Sequence, residues 1–175
     1  MRYLLAYVVT GPAGSAIDGL RREIERRFDV HGAMRLPPHI TLVPPFVAAD
    51  QAALMTRIEA ALVGARPFTV GVTGFGYFNE SVCFIGVEQP REIFAIKEAL
   101  EKGIAEVITP NGRPQRETHF HLTLAYKDVT PPTFRQIKAF LEAEKPPVAG
   151  LTVDNVTLLQ HDGGVWVPVK TFVLQ

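Results

Sequence analysis

Pro38-His39-Ile40-Thr41-Leu42-Val43-Pro44-Pro45-Phe46 is the stretch on which the reading of this chain turns. It reads as a β-strand from His39 to Phe46, closed by Pro44-Pro45. Successive strand side chains point to opposite faces, so His39 and Thr41 project together while Ile40 and Leu42 project into a core. A second copy, His121-Leu122-Thr123-Leu124, lies about 82 residues later within a strand read over His119 to Tyr126. Phe68-Thr69-Val70 likewise matches Leu151-Thr152-Val153 at an offset of about 83, and Val82 and Phe84 align with Val165 and Val167 at the same larger offset. One inserted residue reconciles the two offsets, and the match is that of a whole unit written twice.

The surrounding elements follow from periodicity. Tyr3 to Val9 reads as a buried strand and Ser15 to Phe28 as an amphipathic helix on Ile17, Leu20, Ile24 and Phe28, with Arg21, Arg22, Glu25 and Arg26 largely on the other side. Asp50 is placed to cap a helix reaching Leu62. Phe68 to Val72 and Val82 to Val87 read as neighbouring strands, with Gly74-Phe75-Gly76 a strand-edge turn or bulge. A helix over Glu92 to Glu106 carries Ile93, Ile96, Leu100 and Ile104 at helical spacing. Pro131-Pro132 opens a helix to Ala143, and Leu151 to Leu159 and Val165 to Val173 form strands around the turn at His161-Asp162-Gly163-Gly164. Thr109 to Arg116 reads as the loosest segment. These elements predict an α+β fold over residues 1–175, a single domain of two pseudo-symmetric lobes.

The 175 residues and 47% hydrophobic content supply one sizeable core. Eighteen basic residues balance eighteen acidic ones, which argues against a protein that coats long nucleic acids through a broad positive field and favours a short substrate. Cys83 is the only cysteine, so no internal disulfide forms, and its apolar neighbours predict a buried thiol. The apolar run at Tyr3 to Val9 is too short to cross a bilayer. The expectation is a cytoplasmic protein without membrane association.

If the two strands lie side by side, two imidazoles and two hydroxyls converge on one cleft. Such a set suits a phosphoryl group: one imidazole takes a proton from the attacking water and the other gives one to the leaving oxygen, while the threonine hydroxyls donate to non-bridging oxygens. This scheme asks for no cofactor and no metal.

The paired motifs, the Pro-Pro-Phe tail of the first and the duplicated order resemble the two-histidine phosphoesterase superfamily, which includes bacterial 2′-5′ RNA ligases and RNA 2′,3′-cyclic phosphodiesterases. The resemblance covers nearly the whole chain. It implies antiparallel sheets lining a central cleft with helices outside, metal-independent chemistry, catalytic His39 and His121, and phosphate-binding Thr41 and Thr123. In the family the second histidine is more often the base and the first the acid, an assignment that this sequence leaves open, and the resemblance implies a nucleotide or RNA terminus with a cyclic phosphate or 2′-5′ linkage as partner; no obligate protein partner is inferred. Many of the family's RNA phosphodiesterases have an arginine soon after the second motif, where this chain reads Leu124-Ala125-Tyr126-Lys127. Lys127 is not a bidentate equivalent.

Candidate substrate contacts around the motifs are His119, Phe46, Tyr126, Lys127 and Arg116, with Arg113 nearby. Each has an ordinary alternative: His119 as a solvated rim residue, Phe46 as core, the cations as solvated surface. His31 and His161 read as surface residues. Two other functions compete with the phosphodiesterase: a non-catalytic nucleotide-binding module with the same pocket, and a metalloenzyme using His39, His119 and His121.

Overall fold

The computed structural model describes residues 1–111 and 119–175. Its strands form one curled sheet in which every pairing is antiparallel, flanked by four helices. The strands are β1 (Arg2–Val8), β2 (His39–Val47), β3 (Phe68–Phe78), β4 (Val82–Val87), β5 (Thr109–Pro110), β6 (His121–Ala125), β7 (Gly150–Val153), β8 (Asn155–Asp162) and β9 (Val165–Val173). The helices are α1 (Gly11–Phe28), α2 (Gln51–Ala61), α3 (Arg91–Ile104) and α4 (Pro131–Glu142). The sheet order is β7-β3-β4-β6-β2-β1-β8-β9, with β5 pairing β2. Two four-stranded halves therefore meet where β2 touches β6. This is the α+β architecture expected, its two sheets running together through the strands that carry the His-x-Thr motifs.

β1 shows how sequence alternation builds the site. Tyr3, Leu5 and Tyr7 enter the main core, whereas Leu4, Ala6 and Val8 enter a smaller cluster with Leu36, Leu159 and Trp166. Both faces of the strand are buried, which explains its continuous apolar run. On β2, Ile40 and Leu42 are buried and His39 and Thr41 half-buried; on β6, Leu122 and Leu124 are buried and His121 and Thr123 half-buried. The same period of two thus anchors each motif in the core and aims its polar pair outward.

Helix periodicity held where apolar stripes were clear. Ile93, Ile96, Leu100 and Ile104 are the buried residues of α3. Asp50 caps α2 by accepting from Ala53 N–H at 3.0 Å. α1 starts earlier than its stripe suggested, with Pro12 in the first turn, where a missing N–H costs nothing. α1 packs on α4 through Phe28 and Phe140, and α2 packs on α3.

Four expectations change. Arg21 is buried, because it stands four residues after Ile17 and three before Ile24 and so shares their face. β3 continues through Gly74-Phe75-Gly76 to Phe78, with a register shift between Val72 and Gly74 absorbing the glycines. The strand read over Leu151 to Leu159 is two strands broken at Asp154: β7 pairs β3 in one half of the sheet, while β8 pairs β1 in the other. Asn155 secures this crossing by exchanging hydrogen bonds with the backbone N–H and C=O of Val8. Finally, Thr109 and Pro110 are a short strand on β2, not a loose loop; 112–118 lie outside the described residues.

Candidate active site

Ile40 lies opposite Leu122 in the antiparallel contact between β2 and β6. Continuing that register sets His39 across from Thr123 and Thr41 across from His121. The two motifs are thus adjacent and head-to-tail, each imidazole beside the other motif's hydroxyl.

The imidazoles are held alike. His39 Nδ1 lies 2.8 Å from the carbonyl oxygen of Pro37, and His121 Nδ1 lies 2.7 Å from that of His119. A carbonyl can only accept, so both rings carry their proton on Nδ1 and present Nε2 as a lone pair. Burial pushes the His39 pKa down to about 4, against the bond to the Pro37 carbonyl, with Arg21 and then the proximity of a second imidazole, His121, adding to the depression. His121 is also pushed down, first by burial and then by His119, against the bond to the His119 carbonyl. Both rings are therefore neutral near pH 7 in the free protein. His121 is walled by Phe78 and Phe84, their ring centroids 5.2 and 4.9 Å away.

A cavity of about 210 Å³ opens over this contact, lined by His39, Thr41 and Thr123 and by Tyr126, Lys127 and Trp166. Arg2 and Arg21 make a set of three cations with Lys127, and among the described residues no carboxylate lines the space. The balanced total charge concealed this local excess. Arg2 lies over the Trp166 ring at 5.3 Å and Lys127 over Tyr126 at the same distance. Trp166, Leu36 and Leu4 belong to the small apolar cluster behind β1, so the cavity is floored by packed side chains.

The other candidates separate clearly. Tyr126 and Lys127 line the cavity. His119 is exposed and its ring stacks on His121 with centroids 6.3 Å apart, beside the shared Phe78 and Phe84 rings. Phe46 is 1% exposed and packs on Tyr3, leaving it no surface for a base, which removes it from the substrate contacts. Arg113 and Arg116 lie outside the described residues. Among the described residues no three metal-ligating side chains cluster. His31 is exposed, its ring between Glu25 and Asp29, and His161 packs edge-on against Trp166. Sequence reasoning missed Arg2, Arg21 and Trp166; only the helical spacing of Arg21 from Ile17 and Ile24 offered a signal.

One clamp joins the lead-in of the first motif to the exit of the second. The Asp128 carboxylate accepts from the backbone N–H of His31 and of Gly32, at 2.7 Å and 3.1 Å. Gly32 is obligatory there, since a Cβ would sit 2.1 Å from the Tyr126 carbonyl oxygen.

A family model described as the 2′-5′ RNA ligase superfamily matches residues 11–165, spanning both motifs. The chain belongs to the 2′-5′ RNA ligase superfamily. Within it, a Bacillus pumilus protein provisionally named a phosphoesterase is 28% identical over 163 residues, covering 90% of this chain and 91% of its own. A Geobacillus kaustophilus protein with the same provisional name is 26% identical, covering 90% of each. Among solved structures, Escherichia coli LigT complexed with NADP+ superposes with a TM-score of 0.65 at 19% identity, over 99% of this chain and 97% of LigT. The Thermus thermophilus protein TT0787 gives 0.61 at 17%, over 99% and 98%. These likenesses establish the fold and a phosphoesterase-type family. No helix among the described residues is long and apolar enough to cross a membrane.

Proposed function

We propose that this superfamily member hydrolyses 2′,3′-cyclic phosphates on nucleotides or RNA ends, by acid–base catalysis between His39 and His121, with reversible 2′-5′ ligation when an RNA 5′-hydroxyl attacks in place of water. The observation that carries this reading is the head-to-tail register of the two motifs, with both Nδ1 atoms fixed on carbonyls. It leaves two proton-accepting Nε2 atoms and two hydroxyls at one contact between β2 and β6, where His39, Thr41 and Thr123 line the cation-rich cavity and His121 stands next to its lining, across from Thr41.

Phosphorus sits between the imidazoles, its non-bridging oxygens accepting from Thr41 and Thr123. One imidazole removes a proton from water as the water oxygen bonds to phosphorus. The opposite imidazole, protonated, gives its proton to the ribose oxygen as the bond from phosphorus to that oxygen breaks. The histidines end with protonation exchanged and reset through solvent; in ligation an RNA 5′-hydroxyl takes the place of water, loses its proton to the base and bonds to phosphorus as the P–O3′ bond breaks and O3′ takes the acid's proton. In hydrolysis His121 is the base and His39 the acid, following the family resemblance. His39 must then gain proton affinity when substrate arrives, and an anionic phosphate beside it has that effect. Lys127, Arg2 and Arg21 favour the anion, and the half-buried Tyr126 ring offers a base a surface to stack on. LigT has been crystallised with 3′-AMP, a ligand of the same chemical class.

The test is product analysis on cyclic nucleotides, cyclic-phosphate-ended RNA and 2′-5′ dinucleotides with wild type, His39→Ala and His121→Ala. Turnover of one class by wild type and its loss in both variants support the reading. Wild-type-like turnover in either variant overturns the mechanism, and tight binding of a cyclic nucleotide without product overturns the activity in favour of a binding module.

A further inference from the structure

Arg21 is the only buried charged side chain among the described residues, at 3% exposed, and the chemistry above gives it a share of the cavity's positive charge but no proton transfer. It comes from α1. Its Nη1 donates to Asp18 at 2.8 Å, and its Nη2 donates to the carbonyl oxygens of Ala33 and of Leu36, the latter at 2.7 Å. Its Nε has no partner among the described residues. A guanidinium placed only to tie a loop would fill its donors, because a buried unpaired N–H costs about 1–3 kcal/mol.

Its position explains the expense. Of the carbonyls it grips, Ala33 lies within the short 3₁₀ turn Gly32–Arg35 and Leu36 follows it, immediately before Pro37, whose own carbonyl fixes His39 Nδ1. Arg21 also lines the cavity together with His39, Thr41 and Thr123. The fork therefore reaches the first motif both through the backbone and through the cavity.

We propose that Arg21 is a positioning residue for His39: it holds the 33–36 carbonyls so that Pro37 meets the imidazole, and it lends the cavity a buried positive charge that favours an anion. The proposal rests on the phosphoesterase reading for its kinetic consequence, though not for its structural one. The charges facing the pair are few. Arg21 meets Asp18 and Glu25 from α1 and Tyr126 from the turn after β6, and His39 meets Arg21 and His121. Asp18 is one-third exposed and offsets only the Nη1 side of the guanidinium. Arg21 also acts on His39 in the expected direction, lowering its proton affinity after the larger effect of burial.

Two variants divide the roles. Arg21→Met removes fork and charge; Arg21→Lys keeps a charge and loses the fork. The readouts are the His39 imidazole titration by NMR without substrate, inorganic phosphate affinity, and kcat and KM against pH on a cyclic nucleotide. In Arg21→Met, the His39 midpoint rises by about half a pH unit or more. Phosphate affinity falls about tenfold, the scale of one charge-assisted hydrogen bond. In Arg21→Lys, the midpoint returns toward wild type while kcat stays about tenfold low with KM little changed, as expected for a misplaced imidazole. A folded Arg21→Met with the wild-type midpoint and phosphate affinity overturns the proposal. Should Arg21→Met fail to fold, Arg21→Lys decides alone, and wild-type kcat in it is the contrary result. The titration and phosphate arms need no turnover, so wild type inactive on every cyclic phosphate would refute the functional reading while leaving this one standing on its own data.

Discussion

Ile40 and Leu122 face each other across the antiparallel contact of β2 and β6, and this pair sets the geometry of the whole site. Both side chains are 1% exposed or less, so the contact is locked from behind by the core. A slip of one residue would turn every histidine and threonine of a motif inward. The register is held further out by Asp128 on the His31 and Gly32 amides.

The first prediction follows from the paired imidazoles. His39→Gln and His121→Gln each lower kcat on the cyclic substrate by about 10²–10⁴, the range for one positioned acid or base, with the fold retained. Steady-state kinetics with circular dichroism on the same samples check it. Thr41→Val and Thr123→Val lower kcat less, by about tenfold to a hundredfold, through lost hydrogen bonds to the transition state.

Stability should follow His39 protonation. Its pKa is about 4 in the folded chain against 6.5 when free, so between those values the unfolded state binds more protons. Stability is full above about pH 6.5 and declines as pH falls toward 4. His121 acts with the same sign. His31, held up by Glu25 and then Asp29, acts with the opposite one. Urea denaturation across that window should therefore show a shallower acid loss in His39→Gln than in wild type, both keeping His31.

Gly32→Ala forces a methyl against the Tyr126 carbonyl and destabilises by about 1–3 kcal/mol, the range for an overpacked site, with activity falling beside it. Gly19 is the control: it lies within α1 with open space around a Cβ, so Gly19→Ala stabilises by about 0.5–1 kcal/mol. Thermal denaturation separates them by sign.

Phe46 and Tyr126 each follow a motif closely, core packing being the stronger reading of Phe46, and the two should differ in kind. Phe46→Ala costs about 3–5 kcal/mol of stability as a buried aromatic deletion. Tyr126→Ala raises KM with a smaller loss of stability, because its ring is half-buried at the cavity. Paired denaturation and kinetic curves check both.

The motif strands were legible because a period of two under one buried face admits few alternatives. The match of Phe68-Thr69-Val70 to Leu151-Thr152-Val153 had a further meaning hidden from sequence: the two segments are hydrogen-bonded neighbours in β3 and β7. What stayed illegible arose from long-range neighbours. Nothing near Asp154 signals that the chain changes halves of the sheet there. Arg21 reads as surface by residue type, and only its carbonyl partners at Ala33 and Leu36 make burial tolerable. Trp166 and Arg2 lie at opposite ends of the chain and meet only because β1 and β9 flank β8.

The most direct test of the account is hydrolysis of a 2′,3′-cyclic nucleotide in isotopically heavy-oxygen water, with the product phosphomonoester weighed by mass spectrometry. Attack of one His-activated water on phosphorus predicts one heavy oxygen on the product phosphate in wild type, and no product above background in His39→Gln or His121→Gln. Unchanged labelled turnover in either variant, or no turnover by wild type, would contradict it.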